Sequence, residues 1–96
     1  MMKVVICGYA RSAFTPAKKG KLNLTRPDDL AAQVVKGLIQ KTKIKEEDVE
    51  DLILGCAFPE AEQGMNLARN VVFLAGLPNT VGGVTVNRFC ASSMQA

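Results

Sequence analysis

Three short and almost continuously apolar runs recur along the chain, and two helix patterns separate them. The runs cover residues 3–8, 52–57 and 81–86. Such runs are typical of strands that are covered on both faces, as in a parallel sheet. Parallel neighbours need a crossover connection, which is usually a helix. The pattern therefore predicts an α/β fold in which βαβ units build a parallel sheet.

The first helix pattern begins at Pro27, with Thr25 or Arg26 near the cap and two carboxylates in the first turn. Proline and acidic residues both favour a helix N-terminus. Apolar residues then recur at helical spacing, and the helix is predicted to end near residues 41–43. Its apolar stripe consists of Leu30, Ala31, Val34, Val35, Leu38 and Ile39. Gly37 lies inside this pattern and suggests close packing against a neighbouring element.

The second helix pattern follows Asn66, a plausible cap, and is stopped by Gly76 and Pro78. Its apolar stripe includes Leu67, Val71 and Leu74. Arg69 lies on the flank of this helix and is either a phosphate ligand, an interface residue, or a residue with a simple surface or ion-pair role. The basic segment between residues 11 and 25 lacks periodicity and is predicted to be an exposed loop.

Cys90 lies where the third apolar run passes into helix-forming residues. The run ends at Asn87 or Arg88, and neither proline nor glycine follows the cysteine. A strand that turns sharply into a helix places Cys90 at or just before the first helical turn. Free N–H groups and the positive end of the helix dipole favour the thiolate over the thiol. Cys90 is therefore the predicted nucleophile.

The other two cysteines indicate a different role. Cys7 and Cys56 lie inside apolar strand patterns, which predicts small buried side chains. Three cysteines with no histidine do not fit the usual zinc spacings, so no metal site is predicted. Free thiols indicate a reducing compartment.

Length and composition exclude several classes of function. The 96 residues suit one small domain, and 48% apolar with 22% charged residues is ordinary for a folded protein. A net charge of +3 without a dense basic stripe argues against nucleic-acid binding. No segment has the continuous apolar length of a membrane span, and the start lacks a signal-peptide pattern. We therefore expect no membrane insertion and a cytoplasmic location, or an organelle matrix in a eukaryotic cell.

The segment around Cys90 reads TVNRFCASSMQA and resembles the active-site segment of the thiolases, particularly their degradative 3-ketoacyl-CoA branch. The likeness extends back through AGLPNTVGGVTVN, DLILGCAFPEAEQGMNLARN and VVICGYARSAF, so it covers nearly the whole chain. Together these segments, in this order, are a specific signal. Many relatives carry glycine one or three residues after the nucleophile, where this chain has Ala91 and Ser93.

The resemblance implies a fold and an assembly. Residues 1–96 match a partial thiolase N-terminal domain, cut off after the nucleophile segment. They correspond to the N-terminal part of the first βαβαβ half of an α/β/α/β/α sandwich. Their three strands are expected on one flank of the first sheet, with the strand before Cys90 at its edge. In the family this edge pairs with the same strand of a second subunit, so a homodimer or tetramer is expected.

The resemblance also implies the reaction. It makes Cys90 the acyl-accepting nucleophile in thiolytic cleavage of 3-ketoacyl-CoA, or in the reverse condensation, as in fatty acid β-oxidation. Coenzyme A is then a substrate, and no bound cofactor is expected. The backbone N–H of Cys90 is expected to contribute to stabilising the oxyanion.

Two alternatives stay open at this point. Ketoacyl-synthase-like condensing enzymes also place a cysteine at this kind of turn. A truncated product that only dimerises through the strand edge would need no catalysis. The activating histidine and second cysteine of thiolases lie in later motifs, and Cys7 and Cys56 match neither motif. The 96 residues taken alone are therefore expected to be inactive.

Overall fold

The computed structural model describes all 96 residues, and its centre is a parallel two-stranded sheet with α2 packed on it. The helices are α1 (Pro27–Thr42), α2 (Leu67–Leu74) and α3 (Ser92–Gln95), and the strands are β1 (Asp51–Gly55) and β2 (Gly82–Val86). Short 3-10 turns occupy Glu46–Asp48, Ala61–Gln63 and Phe89–Ala91. None of the helices combines the length and the apolar character needed to cross a membrane.

The two strands run parallel, with Asp51 opposite Gly82 and Gly55 opposite Val86. The Cys56 N–H donates to the Val86 carbonyl over 2.9 Å and extends the ladder past the end of β1. Helix α2 connects the strands and packs on both, so β1, α2 and β2 form a βαβ unit. The predicted α/β class and the parallel arrangement are confirmed for this part of the chain.

The prediction of a first strand at residues 3–8 is wrong. No residue from 1 to 15 makes a backbone–backbone hydrogen bond, and the side chains of Val4 and Ile6 are 99% and 93% exposed. A strand exists only through the ladder it forms with a neighbour, and this apolar run lies beside no strand. The predicted three-stranded flank is therefore a two-stranded sheet in this structure.

The core lies between α2, one face of the sheet and α1. Val71, Val72 and Val81 are completely buried, and full burial of such a side chain stabilises the fold by about 1.5–3 kcal/mol. Their neighbours in the cluster are Ala32, Cys56, Leu67, Ala75 and Leu77. The opposite face of the sheet is open, because Ile53 and Val84, which are paired across the strands, are 49% and 41% exposed.

Helix α1 begins as its sequence predicts, with Pro27 in the first turn. Arg26 binds Asp28 through two hydrogen bonds, from Nε over 3.1 Å and from Nη2 over 2.9 Å. This guanidinium contact, aided by the Asp29 N–H and opposed by burial, holds the pKa of the Asp28 carboxyl below its usual value. The pKa of Arg26 is raised by the same hydrogen bond. The two residues thus form a charged clasp at the start of α1.

Helix α1 also ends where the sequence predicts, but the close packing predicted at Gly37 is absent. Lys43 adopts a left-handed conformation with φ of 58° and caps the helix by donating its N–H to Ile39. Gly37 is exposed, and a Cβ placed on it would meet nothing within 4 Å. The predicted close packing at Gly37 is therefore wrong.

Helix α2 is tied to β2 at its start. The Asn66 carboxamide caps the helix, accepts a hydrogen bond from Thr85 Oγ1 over 2.8 Å and donates one to the Gly83 carbonyl over 2.9 Å. The Thr85 hydroxyl in turn accepts from the Ala68 N–H over 3.0 Å. A Cβ on Gly83 would lie 2.7 Å from the Arg69 nitrogen, so only glycine allows this approach of helix and strand. The network fixes where β2 runs and hence where it delivers the residues after Val86.

Candidate functional site

The turn that follows β2 carries Cys90 on the surface. The strand ends at Val86, a 3-10 turn covers Phe89–Ala91, and α3 begins at Ser92. Cys90 is a free cysteine with an exposed side chain. The predicted strand-to-helix turn is confirmed, and the thiol is open to solvent and to a substrate from outside.

Side-chain hydrogen bonds hold the turn closed. The Asn87 Oδ1 accepts from the Phe89 N–H over 2.9 Å. The Ser92 hydroxyl accepts from the Arg88 N–H over 2.9 Å and donates to the Phe89 carbonyl over 2.6 Å. Ser92 is only 4% exposed, so its hydroxyl makes these bonds with little competition from water. The turn is thus bonded at both ends and in the middle.

The Cys90 N–H is the unpaired amide of this turn. The amides of Arg88 and Phe89 donate to side chains, and those of Ala91 and Ser92 donate to carbonyls of the turn. The Cys90 N–H has no hydrogen-bond partner in the protein. A free amide beside an exposed thiol can donate to an oxyanion that forms on a carbon bound to that sulfur.

Phe89, immediately before the cysteine, has a strained backbone. Its φ of 48° is in the left-handed region, which a bulky residue rarely adopts and which costs about 1–3 kcal/mol. Its aromatic side chain is 71% exposed, so its burial offsets little of this cost. The side-chain hydrogen bonds of Asn87 and Ser92, together with the bond from the Ser92 N–H to the Phe89 carbonyl, hold Phe89 in this conformation.

Gly55 lets the end of β1 touch the start of α3. A Cβ at this position would lie 2.4 Å from the Ser93 nitrogen and 2.5 Å from the Ser92 carbonyl carbon. Contacts this short do not occur for real side chains, so the backbones meet because residue 55 has none. Ser92 is buried where these two backbone segments meet.

The surroundings of Cys90 are open. Arg88, Ala91, Met94 and Gln95 line a shallow depression of about 410 Å³ beside the turn. The chain contains no histidine, so no imidazole lies near the thiol. A second depression, of about 250 Å³, lies at residues 12–30 on other elements. No three cysteine, aspartate or glutamate side chains gather into a metal-binding group.

The other cysteines differ from each other. Cys56 is buried at the end of β1, as predicted. Cys7 is exposed, so its predicted burial is wrong, for the same reason that its strand is absent. The chain therefore has two accessible thiols, of which only Cys90 lies on a turn held by side-chain hydrogen bonds.

Arg69 is not available as a phosphate ligand. Its guanidinium donates to the carbonyls of Val81 and, over 2.9 Å, of Asn79, and it lies 4.4 Å from the centre of the Phe73 ring. These hydrogen bonds satisfy backbone carbonyl groups of the loop between α2 and β2. Arg69 therefore stabilises the loop that leads into β2.

Sequence reasoning missed three residues that shape the turn. Asn87 stands at a strand end, where asparagine often bonds to the backbone two residues on. Gly55 lies at the end of a strand pattern, where glycine often indicates close backbone approach. The role of Ser92 has no such signal, because a serine in a helix-forming segment is usually solvated.

The fold and this turn define a class of protein: an α/β chain that presents an exposed thiol at a strand-to-helix turn. A sequence profile described as "Thiolase, N-terminal domain" matches residues 4–96. The chain belongs to the thiolase family.

Curated relatives agree with this assignment. A 3-ketoacyl-CoA thiolase of Bacillus subtilis (strain 168) is 51% identical over 96 residues, which is 100% of this chain and 25% of the relative. The 3-ketoacyl-CoA thiolases of Acinetobacter baumannii (strain AYE) and Acinetobacter baylyi are each 50% identical over 93 residues, which is 97% of this chain and 24% of each relative. The chain spans about a quarter of the length of the curated relatives it matches.

Proposed function

We propose that Cys90 is the acyl-accepting nucleophile of a 3-ketoacyl-CoA thiolase. The observation that carries the proposal is the exposed Cys90 thiol next to its own unpaired N–H, on a turn held by side chains. The relatives at about half identity bear the name 3-ketoacyl-CoA thiolase, which supports the substrate class.

In the proposed reaction the Cys90 thiolate attacks the 3-keto carbon of the substrate. The carbonyl electrons move onto oxygen, and the Cys90 N–H donates to the resulting oxyanion. When the carbonyl re-forms, the bond between the second and third acyl carbons breaks. Its electron pair stays on the second carbon, which takes a proton and leaves as acetyl-CoA. A second coenzyme A thiolate then attacks the acyl-cysteine, and a shortened acyl-CoA departs.

The base that removes the Cys90 proton is not a histidine of this chain, because the chain has none. We propose that it comes from residues beyond these 96, as the family resemblance implies. The 96 residues alone would then hold and present the nucleophile without completing the cycle. Acyl transfer onto Cys90, the first half of the cycle, remains open to these 96 residues.

We also propose a homo-oligomer and an intracellular location. Strand β2 pairs only with β1 in this structure, so its other edge offers backbone groups to the same strand of a second copy. Free thiols persist best in a reducing compartment, and all three cysteines are free, which supports a cytoplasmic location.

The test is acetyl transfer from acetyl-CoA to the chain at pH 9, followed by peptide mapping by mass spectrometry. We expect one acetyl group, located on Cys90 and removable by free coenzyme A. The variant Cys90→Ser should carry no thioester, and Cys7→Ser should label like the parent. Acetylation located on Cys7, or equal on both exposed cysteines, would refute the nucleophile assignment. An absolute requirement for an acyl-carrier-protein donor would favour a ketoacyl-synthase-like reaction instead.

A further inference from the structure

The hydroxyl of Ser92 is a buried polar group bonded on both sides of a strained residue. It accepts from the N–H before Phe89 and donates to the carbonyl of Phe89 itself. A buried hydroxyl that makes both of its bonds to one turn fixes that turn far more than an exposed serine would. Ser93, the next residue, is exposed and its side chain makes no hydrogen bond, so the pair provides an internal comparison.

The conformation of Phe89 links the hydrogen bonds of Ser92 to the direction of the Cys90 N–H. A left-handed residue reverses the local chain direction, so the conformation of Phe89 sets where the next peptide N–H points. That next N–H belongs to Cys90 and is the unpaired amide of the turn. If Phe89 relaxed to the ordinary right-handed region, the Cys90 amide would turn away from its present direction. Ser92 opposes this relaxation, and Gly55 keeps Ser92 in place by direct backbone contact.

We propose that Ser92 is a positioning residue for acyl transfer at Cys90: its hydroxyl holds Phe89 in the left-handed conformation that keeps the Cys90 N–H free and directed at the oxyanion. The proposal rests on the proposed function of Cys90. It concerns the amide and not the exposure of the sulfur, which follows from the surface position of the turn. Reactions at Cys90 that form an oxyanion therefore depend on Ser92, while reactions that form none do not.

Two small electrophiles separate these cases. Acetylation of a thiolate by p-nitrophenyl acetate passes through a tetrahedral oxyanion, whereas alkylation by iodoacetamide is a displacement without one. Both rates are measured at Cys90 by peptide-resolved mass spectrometry, with the exposed Cys7 as the reference inside the same molecule. In the parent chain we expect the Cys90-to-Cys7 ratio to be higher for acetylation than for alkylation.

In Ser92→Ala the acetylation ratio should fall by at least about tenfold, since complete removal of an oxyanion donor costs about 10²–10³ in rate and a displaced donor loses part of that. The alkylation ratio should change less than about twofold, because no oxyanion forms in that reaction. Ser93→Ala should change neither ratio. Thr42→Ala removes a hydroxyl that donates to the Leu38 carbonyl at the end of α1, so it controls for the loss of a side-chain hydrogen bond away from the turn and should change neither ratio.

The outcomes are decisive in each direction. An acetylation ratio that is unchanged in Ser92→Ala, or that falls equally in Thr42→Ala, overturns the positioning role. If Ser92→Ala does not fold, Ser92→Thr must keep the acetylation ratio and Asn87→Ala must lower it; any other pattern overturns the proposal. No excess acetylation of Cys90 over Cys7 in the parent chain would instead refute the proposed function itself.

Discussion

Two glycine-to-alanine substitutions should have opposite effects on stability. Gly55 and Gly37 both lie in regular elements, and the chemical change is one methyl group in each case. At Gly55 the new Cβ would meet the backbone of residues 92 and 93 at 2.4–2.6 Å. At Gly37, on the exposed side of α1, it would meet nothing within 4 Å. The structure, rather than the residue type, therefore decides the sign.

The distances set the magnitudes. Ordinary van der Waals contact of a Cβ begins near 3.4 Å, so the start of α3 must withdraw by about 1 Å to admit the new methyl group in Gly55→Ala. Overpacking of this kind typically costs about 1–3 kcal/mol, and here the obstacle is backbone that cannot rotate away. Gly37→Ala removes the entropic penalty of a helical glycine and should stabilise by about 0.5–1 kcal/mol.

The assay is urea unfolding of the parent chain and both variants, followed by circular dichroism. We expect a lower midpoint for Gly55→Ala and a higher one for Gly37→Ala, with similar slopes. A midpoint of Gly55→Ala that is unchanged or raised would refute the close approach of β1 and α3. In that case the burial of Ser92 would not depend on a contact with Gly55.

Other substitutions test the clasp at α1 and the location of the core. Arg26 lowers the pKa of Asp28, so the folded state binds the Asp28 proton at lower pH than the unfolded state does. The resulting contribution to stability is present above about pH 4 and is lost as the pH falls through the pKa of Asp28 in the folded state. Asp28→Asn should therefore lower the urea midpoint at pH 7 and flatten its decline between about pH 5 and pH 2; an unchanged acid decline would contradict this. Val71→Ala should cost about 2–3 kcal/mol, because it removes two methyl groups from a fully buried site. Val84→Ala, on the open face of the sheet, should cost less than about 1 kcal/mol, and equal losses in the two variants would show that the core is wrongly placed.

Local sequence patterns predicted the helices and strands whose stabilising contacts lie within the element or in a nearby part of the chain. Helix α1 was predictable because Pro27, the carboxylates after it and the apolar stripe all act within the helix. Strands β1 and β2 were predictable because each apolar run finds the other across α2. The run at residues 3–8 has the same composition but no neighbouring strand, and periodicity alone cannot supply one.

The turn that carries Cys90 was predictable from the sequence, but the contacts that support the turn were not. The turn at Cys90 follows from a strand that ends where helix-forming residues begin. The bonds of Ser92 depend on the contact between Gly55 and α3, which joins residues far apart in sequence. The left-handed Phe89 contradicts the ordinary preference of an aromatic residue, so no local rule could have placed it. Such exceptions are expected where a site imposes its own geometry.

The most direct test of the account is protection of Cys90 from alkylation. The chain is treated with iodoacetamide before and after incubation with acetyl-CoA, and the modification of each cysteine is read by peptide mass spectrometry. Acylation of Cys90 predicts that acetyl-CoA blocks its alkylation while the exposed Cys7 is alkylated as before. Undiminished alkylation of Cys90, or protection of Cys7 instead, would contradict the assignment of Cys90 as the acyl-accepting thiol.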